Sequence, residues 1–495
     1  MSPRFSDIVE ETRLSLQAIV DYGDQLFNPT VRLGVTGLSR AGKTVFITAL
    51  IHGLLRGGRF PVFDAFATGR IARARLEPQP DDAVPRFAYE SHVGTLMHDR
   101  QWPQSTVDIS ELRLVIEYQR QNGADRTLTL DIVDYPGEWL LDLPLLTKSY
   151  ETWAAESLAL SRQQPRAALA APWHAQLATL DPLASADEQA TLKSAKLFTD
   201  YLRACRDERF AMSLLPPGRF LMPGNLAGSP ALTFAPLGLQ SLGNAPDGSL
   251  WAMMRRRYEA YKDVVVRPFF RDHFARLDRQ IVLVDALAAF NAGPEALNDL
   301  QAALAGILDC FRVGRSTFVS SLLRPRIDRI LFAATKADHL HHASHDRLEA
   351  ILRLMVDRAV TRAEFSGAAV DVVALAAIRA TREARVQRGR EQLPSIVGTP
   401  AAGEIANGET FDGLTDVATF PGDLPATPDG LFGADGAAHA DGQFKGLSSG
   451  TADHADYRFL RFRPPALAAG TGDTPPLPHI RLDRAFQFLI GDRLQ

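Results

Sequence analysis

Short apolar runs of strand length alternate along this chain with longer stretches of helical period. The first run, Val31 to Thr36, enters Gly37-Leu38-Ser39-Arg40-Ala41-Gly42-Lys43-Thr44, and an apolar-rich stretch from Val45 to Leu55 follows. That order predicts a strand, a tight turn and a helix. Upstream, Phe5, Ile8, Val9, Ile19, Val20, Leu26 and Phe27, behind the cap candidate Ser6, predict an amphipathic helix. Residues 57–105 are rich in Gly, Pro and Arg, show few clear periods and read mostly as loops over the site that follows the first strand. The runs Glu111 to Tyr118 and Thr127 to Val133 flank Asn122-Gly123, a dipeptide suited to a hairpin turn, so these strands are expected to pair antiparallel.

Residues 139–278 read as largely helical, broken by the Pro- and Gly-rich stretch Leu214 to Pro236. Such a length is too great for a strand-to-helix connection and predicts a helical insertion. Strand-like runs then return at Gln280 to Val284, Ile327 to Ala333 and Val370 to Ala376, separated by helical stretches Pro294 to Ser321 and Asp346 to Glu364. Alternation of this kind predicts a doubly wound, mostly parallel sheet. Gly, Asp, Ala and Pro dominate residues 385–475, which read as irregular with room for short hairpins, and Leu482, Ala485, Phe486, Leu489 and Ile490 form a closing helical stripe. The expected organisation is an N-terminal helix (1–30), two parts of one α/β domain (31–138 and 279–384), the helical insertion (139–278) and a C-terminal region (385–495).

The 495 residues include 46% hydrophobic and 23% charged positions and carry a net charge of -4. These are globular values, and the charge gives no general attraction for nucleic acid. Only two cysteines occur, Cys205 and Cys310, without metal-type spacing. Together with the lack of any apolar run long enough to span a bilayer, they lead to the expectation of a cytoplasmic protein without a transmembrane segment.

Chemistry enters with G-x-x-x-x-G-K-T in its strand-to-helix context. Backbone N–H groups and the helix's positive end converge on one spot, where a polyphosphate fits. Ser39, Arg40, Ala41, Gly42, Lys43, Thr44 and Val45 are the expected contacts, with Lys43 reaching the β- and γ-phosphates and the Thr44 hydroxyl holding Mg²⁺. Asp134-Tyr135-Pro136-Gly137 gives D-x-x-G at a strand end; Asp134 is expected to hold Mg²⁺ through water, and the Gly137 N–H to meet the γ-phosphate. Thr106, with Ser105 second, is the candidate for a further hydroxyl on the metal. Thr335-Lys336-Ala337-Asp338 closes another strand. A carboxylate there accepts from both N1–H and the exocyclic amine of guanine, a pair of donors that adenine lacks. Lys336 is expected to cover the base, Thr335 to bond near the phosphate loop, His339 to adjoin the base-reading group, and Ala376, Ala377 and Ile378 to offer backbone N–H groups to its edge.

The sequences G-L-S-R-A-G-K-T-V-F, W-P-Q-S-T, D-Y-P-G-E-W-L, T-K-A-D-H-L-H and D-R-A-F-Q-F-L-I-G-D, in this order, resemble the small GTPase pattern and, more narrowly, the YcjX-like family of bacterial P-loop GTPases. The resemblance implies a Ras-like fold, hydrolysis of GTP to GDP with Mg²⁺, a cytoplasmic location and a stress-related setting. It leaves the protein effector unidentified, a membrane-associated one being an option. In the broader pattern a glutamine often follows the D-x-x-G glycine, where this chain has Glu138. A glutamate there either positions the attacking water, repelling the γ-phosphate unless a cation intervenes, or is a solvated acid at a helix start, and slow turnover is expected. Arg40 inside the loop either supplies charge to the phosphates or faces outward toward a loop acid. A nucleotide-controlled binding module with negligible hydrolysis, and an ATPase, remain the alternative readings. The histidines at 339, 341, 342 and 345 read as a helix-start cluster with some members exposed rather than a metal site.

Overall fold

Seven strands build the central sheet of the computed structural model: β1 (Thr30–Gly37), β2 (Ile71–Glu77), β3 (Ser110–Gln119), β4 (Asp125–Asp134), β5 (Arg279–Val284), β6 (Arg329–Ala334) and β7 (Ala369–Ala374). They lie in the order β2-β3-β4-β1-β5-β6-β7. β4, β1, β5, β6 and β7 run parallel, whereas at one edge β3 pairs antiparallel with β4 and β2 antiparallel with β3. The described residues are 29–38, 40–239, 245–309, 327–365, 367–388, 390–406, 408–425, 459–467 and 475–495. The expected helix over 5–27, Ser39, Cys310 and the second half of the helix expected from Pro294 to Ser321 lie outside them; the described part of that helix is Pro294–Asp309.

The apolar runs form strands because both of their faces are covered. In β6, Ile330 and Phe332 enter one hydrophobic core while Leu331 and Ala333 enter the other, as the two-residue period of a strand dictates. One core holds the helical insertion, with an aromatic cluster in which Tyr150, Trp153, Phe234 and Tyr258 meet with ring centroids 5.0–5.7 Å apart for Trp153 over Tyr258, Trp153 against Phe234 and Tyr150 against Tyr258. The other packs the Lys43–Arg56 helix and the Leu482–Ile490 helix against the opposite face. Arg279 is fully buried at the start of β5 and forms a two-pronged pair with Asp492 at 2.6 and 2.7 Å.

One expectation is corrected. Residues 57–105 are more than loops, for they contain β2 and the Tyr89–Met97 helix. β2 is an edge strand whose Arg73 and Arg75 pair with Glu117 of β3, so its polar composition reflects cross-strand ion pairs. The C-terminal region, read as irregular with room for short hairpins, holds a separate antiparallel sheet in which β9 (Glu391–Gly398) pairs with β8 (Arg382–Arg388) and with Val417–Thr419. Among the described residues, no helix is long and apolar enough to cross a membrane.

Candidate functional site

β1, β5, β6 and β7 lead into residues that line one cleft of about 370 Å³, and Asp134 at the end of β4 is tied to it through Thr106. Ligands of doubly wound sheets bind at these carboxyl ends. At the end of β1 the chain turns through Arg40 (φ 63°) and Gly42 (φ 80°), and the helix begins at Lys43 with Phe46 N–H donating to the Gly42 carbonyl. A Cβ on Gly42 would meet nothing within 4 Å, so what this position requires is the left-handed backbone itself. The Lys43 ammonium donates to the Gly37 carbonyl at 3.2 Å, folded back over its own loop.

Three oxygen-bearing side chains meet below it. Thr44 Oγ1 lies 3.3 Å from Thr106 Oγ1, and the Thr106 hydroxyl donates to Asp134 Oδ2 at 2.6 Å. Asp134 Oδ1 is buried without a hydrogen-bond partner. Burial pushes the Asp134 carboxyl up to about 6, against the opposing pull of Lys43 and the Thr106 bond. Two hydroxyls and a carboxylate with a bare buried oxygen suit a hard divalent cation. Gly137 packs beneath the loop, where a Cβ would fall 1.9 Å from the Gly37 carbonyl oxygen, so only glycine permits this approach.

At the other end, Asp338 is buried in the cleft wall. One carboxylate oxygen accepts from Ala380 N–H at 2.8 Å, and its backbone carbonyl accepts from the Thr381 hydroxyl. Lys336, in the left-handed region at φ 61°, is pinned by an ion pair with Asp285, the residue that caps the Ala286–Ala292 helix after β5. The Thr335 hydroxyl bonds to the Val284 carbonyl at 3.3 Å, one residue beyond Leu283, which pairs with Gly37 at the start of the phosphate loop. One expectation changes here, that for Ala376. Ala376 N–H donates to the Ile480 carbonyl at 3.1 Å and is committed there, while Ala377 and Ile378 line the cleft. His339 lines it too, edge-on to Phe462 with centroids 5.3 Å apart, and burial lowers its pKa. Of the other histidines, His341 and His345 are buried and His342 is exposed, with Nδ1 2.8 Å from Glu383.

The cleft is roofed by residues far away in sequence. Arg206, Glu208, Met212 and Ser213 come from the insertion, and Phe459, Arg461 and Phe462 from the C-terminal region. Glu208 pairs with Arg40 at 3.5 Å and with Arg461 at 3.2 Å, and Arg461 reaches Glu404 at 2.6 Å. Arg40 therefore faces an acid of the insertion. Glu138 is not solvated: it is 6% exposed, outside the cleft lining, and pairs with Arg206 at 3.6 Å. Asp285, Arg206, Glu208 and Arg461 were not picked out by motif. Asp285 had a signal, an acid immediately after a buried strand; the other three depend on contacts between distant segments.

A model of the YcjX-like family, DUF463, matches residues 31–494. The chain is 37% identical over 496 residues to a protein of Escherichia coli (strain K12) named Ras-like GTPase YcjX, covering 97% of this chain and 98% of that protein. It is 33% identical over 514 residues to a protein of the same name from Shewanella oneidensis, covering 97% and 99%.

Proposed function

The chain belongs to the YcjX-like family, and from that premise we propose that it binds guanine nucleotide with Mg²⁺ and hydrolyses GTP slowly to GDP and phosphate, acting as a regulatory switch in a stress-related setting. The observation that carries this reading is the pairing, across one cleft, of Lys43 and Thr44 at one end with the carboxylate of Asp338 at the other. Lys43 neutralises the β- and γ-phosphates, and Arg40 sits at the rim. The Asp338 carboxylate, beyond its bond from Ala380, accepts from N1–H and the exocyclic amine of the base, and Lys336, held by Asp285, keeps its stem beside it. Ala377, Ile378 and His339 shape the base end. Thr44, Thr106 and Asp134 would hold Mg²⁺, which supplies charge neutralisation between the phosphates. Gly137, beneath the loop, keeps Asp134 close to the phosphates, while Glu138 stands behind Arg206.

Multiple-turnover phosphate release tests the reading. GTP is expected to be hydrolysed at a low rate and ATP not to compete for the site. Tight GTP binding with no release above background supports the nucleotide-controlled binding module instead, which the glutamate at position 138 favours.

The metal gives a second expected outcome. A carboxyl that titrates near 6 exchanges its proton for a cation only above that pH. The Mg²⁺ concentration needed to tighten fluorescent GDP binding is therefore expected to rise about tenfold for each unit of pH below 6, and to be flat from 7 to 8. Unchanged Mg²⁺ demand between pH 5 and 7 contradicts Asp134 as the ligand.

A further inference from the structure

Arg206 ends the Glu188–Arg206 helix of the insertion, and it lines the same cleft as Lys43, Thr44 and Thr106. Glu138 lies behind it. The segment that carries Glu138 is fixed from both sides: Gly137 touches the Gly37 carbonyl, and a Cβ on Gly218 of the insertion would fall 1.8 Å from the Glu138 carbonyl oxygen. Asp142, further along the same segment, accepts from Gly218 N–H at 2.7 Å, Arg219 N–H at 3.3 Å and the Tyr261 hydroxyl at 2.6 Å. Trp139 Nε1 donates to the Met222 carbonyl at 2.9 Å. The insertion is thus seated directly on the residues that follow Asp134.

The Arg206 guanidinium has two contacts within reach, Glu138 at 3.6 Å and the Met222 sulfur at 3.4 Å. Neither is a close charge-assisted bond, and its side chain keeps 29% of its surface open. A forked donor so weakly engaged on a phosphate-binding wall suits a phosphate oxygen better than either contact it has. Glu138, the acid at its back, draws it toward this wall and has its own charge partly offset.

Resting on the guanine-nucleotide reading above, we propose that Arg206, contributed in cis by the helical insertion, is a γ-phosphate ligand, and that Glu138 is its positioning residue. The insertion then helps to tell GTP from GDP, since only the triphosphate places an oxygen within reach of Arg206. The cation that must intervene between Glu138 and the terminal phosphate is supplied by this chain itself.

The test is the ratio of affinities for a non-hydrolysable GTP analogue and for GDP, measured by fluorescence competition on the full chain. Arg206→Ala is expected to lower that ratio about tenfold or more, through loss of one partly screened charge contact and exposure of the phosphate to an uncompensated Glu138. Arg206→Lys is expected to stay within about threefold of the parent. Glu138→Gln placed in the Arg206→Ala protein is expected to recover part of the lost ratio, which a merely structural role for Arg206 would not do. An unchanged ratio, or equal loss for both nucleotides, overturns the assignment of Arg206; a double variant no better than Arg206→Ala overturns the role of Glu138. A parent protein that binds no guanine nucleotide at all defeats the underlying reading instead, so the two failures are distinguishable.

Discussion

Asp338→Ala is expected to abolish preference for the guanine base, reducing GTP affinity by about 10²-fold or more and erasing most of a discrimination against ATP of about 10⁴. The magnitude follows from two hydrogen bonds to a charged acceptor inside a buried wall, where no water replaces the lost oxygens. Asp338 also holds Ala380 and Thr381, so a purely structural loss has to be separated out. Asp338→Asn does so, because its amide oxygen still accepts from Ala380. Its NH₂ group then points a donor at the base where the carboxylate had offered an acceptor. Xanthine, with a carbonyl in place of the exocyclic amine, matches that arrangement. Competition binding is therefore expected to rank xanthosine triphosphate above GTP for the asparagine protein. Retention of GTP preference in both variants would sink the role given to Asp338.

Asp299→Ala is expected to destabilise the protein by about 3–5 kcal/mol. Arg166 and Asp299 form a buried ion pair between the insertion and the Pro294–Asp309 helix. The second carboxylate oxygen accepts from Ser213 and Leu214 N–H at 2.6 and 2.7 Å. Removing the carboxylate leaves the buried Arg166 guanidinium without its countercharge, though still bonded to the Tyr201 hydroxyl and the Leu214 carbonyl, and strands two part-buried backbone donors. Ser213 adjoins Met212 in the cleft roof, so nucleotide affinity should fall along with stability. A denaturation midpoint unchanged from the parent would show that water reaches Arg166 and that the pair is not buried in solution.

How much could be read beforehand depended on how local each signal was. The phosphate loop and the β3–β4 hairpin were legible because their determinants are neighbours: Gly42 and Gly123 both take positive φ, at the places where glycine was needed. β5, β6 and β7 were legible because strands covered on both faces become uninterrupted apolar runs. β2 was hidden because Arg73, Arg75 and Glu77 make it look like a solvated loop, and the partner that turns this into a strand, Glu117, lies in β3. The bond of Ala376 to Ile480 and the ion pair of Arg206 with Glu138 were illegible for the same reason. No period or motif connects residues that only the finished fold brings together.

The Leu482–Ile490 helix sets the order in which this molecule can be completed. Phe486 packs on Phe60 and Phe63 with centroids 5.1 and 5.7 Å apart, and Asp483 accepts from Val62 N–H at 3.1 Å. Those partners emerge from the ribosome roughly 420 residues earlier, which at about 5–20 residues per second is a wait of roughly 20–90 s. During that interval the apolar flank that Phe60 and Phe63 share with the Lys43–Arg56 helix lacks its cover. Closure of the core behind the phosphate loop is therefore a late event of synthesis, although the loop itself is among the earliest segments made.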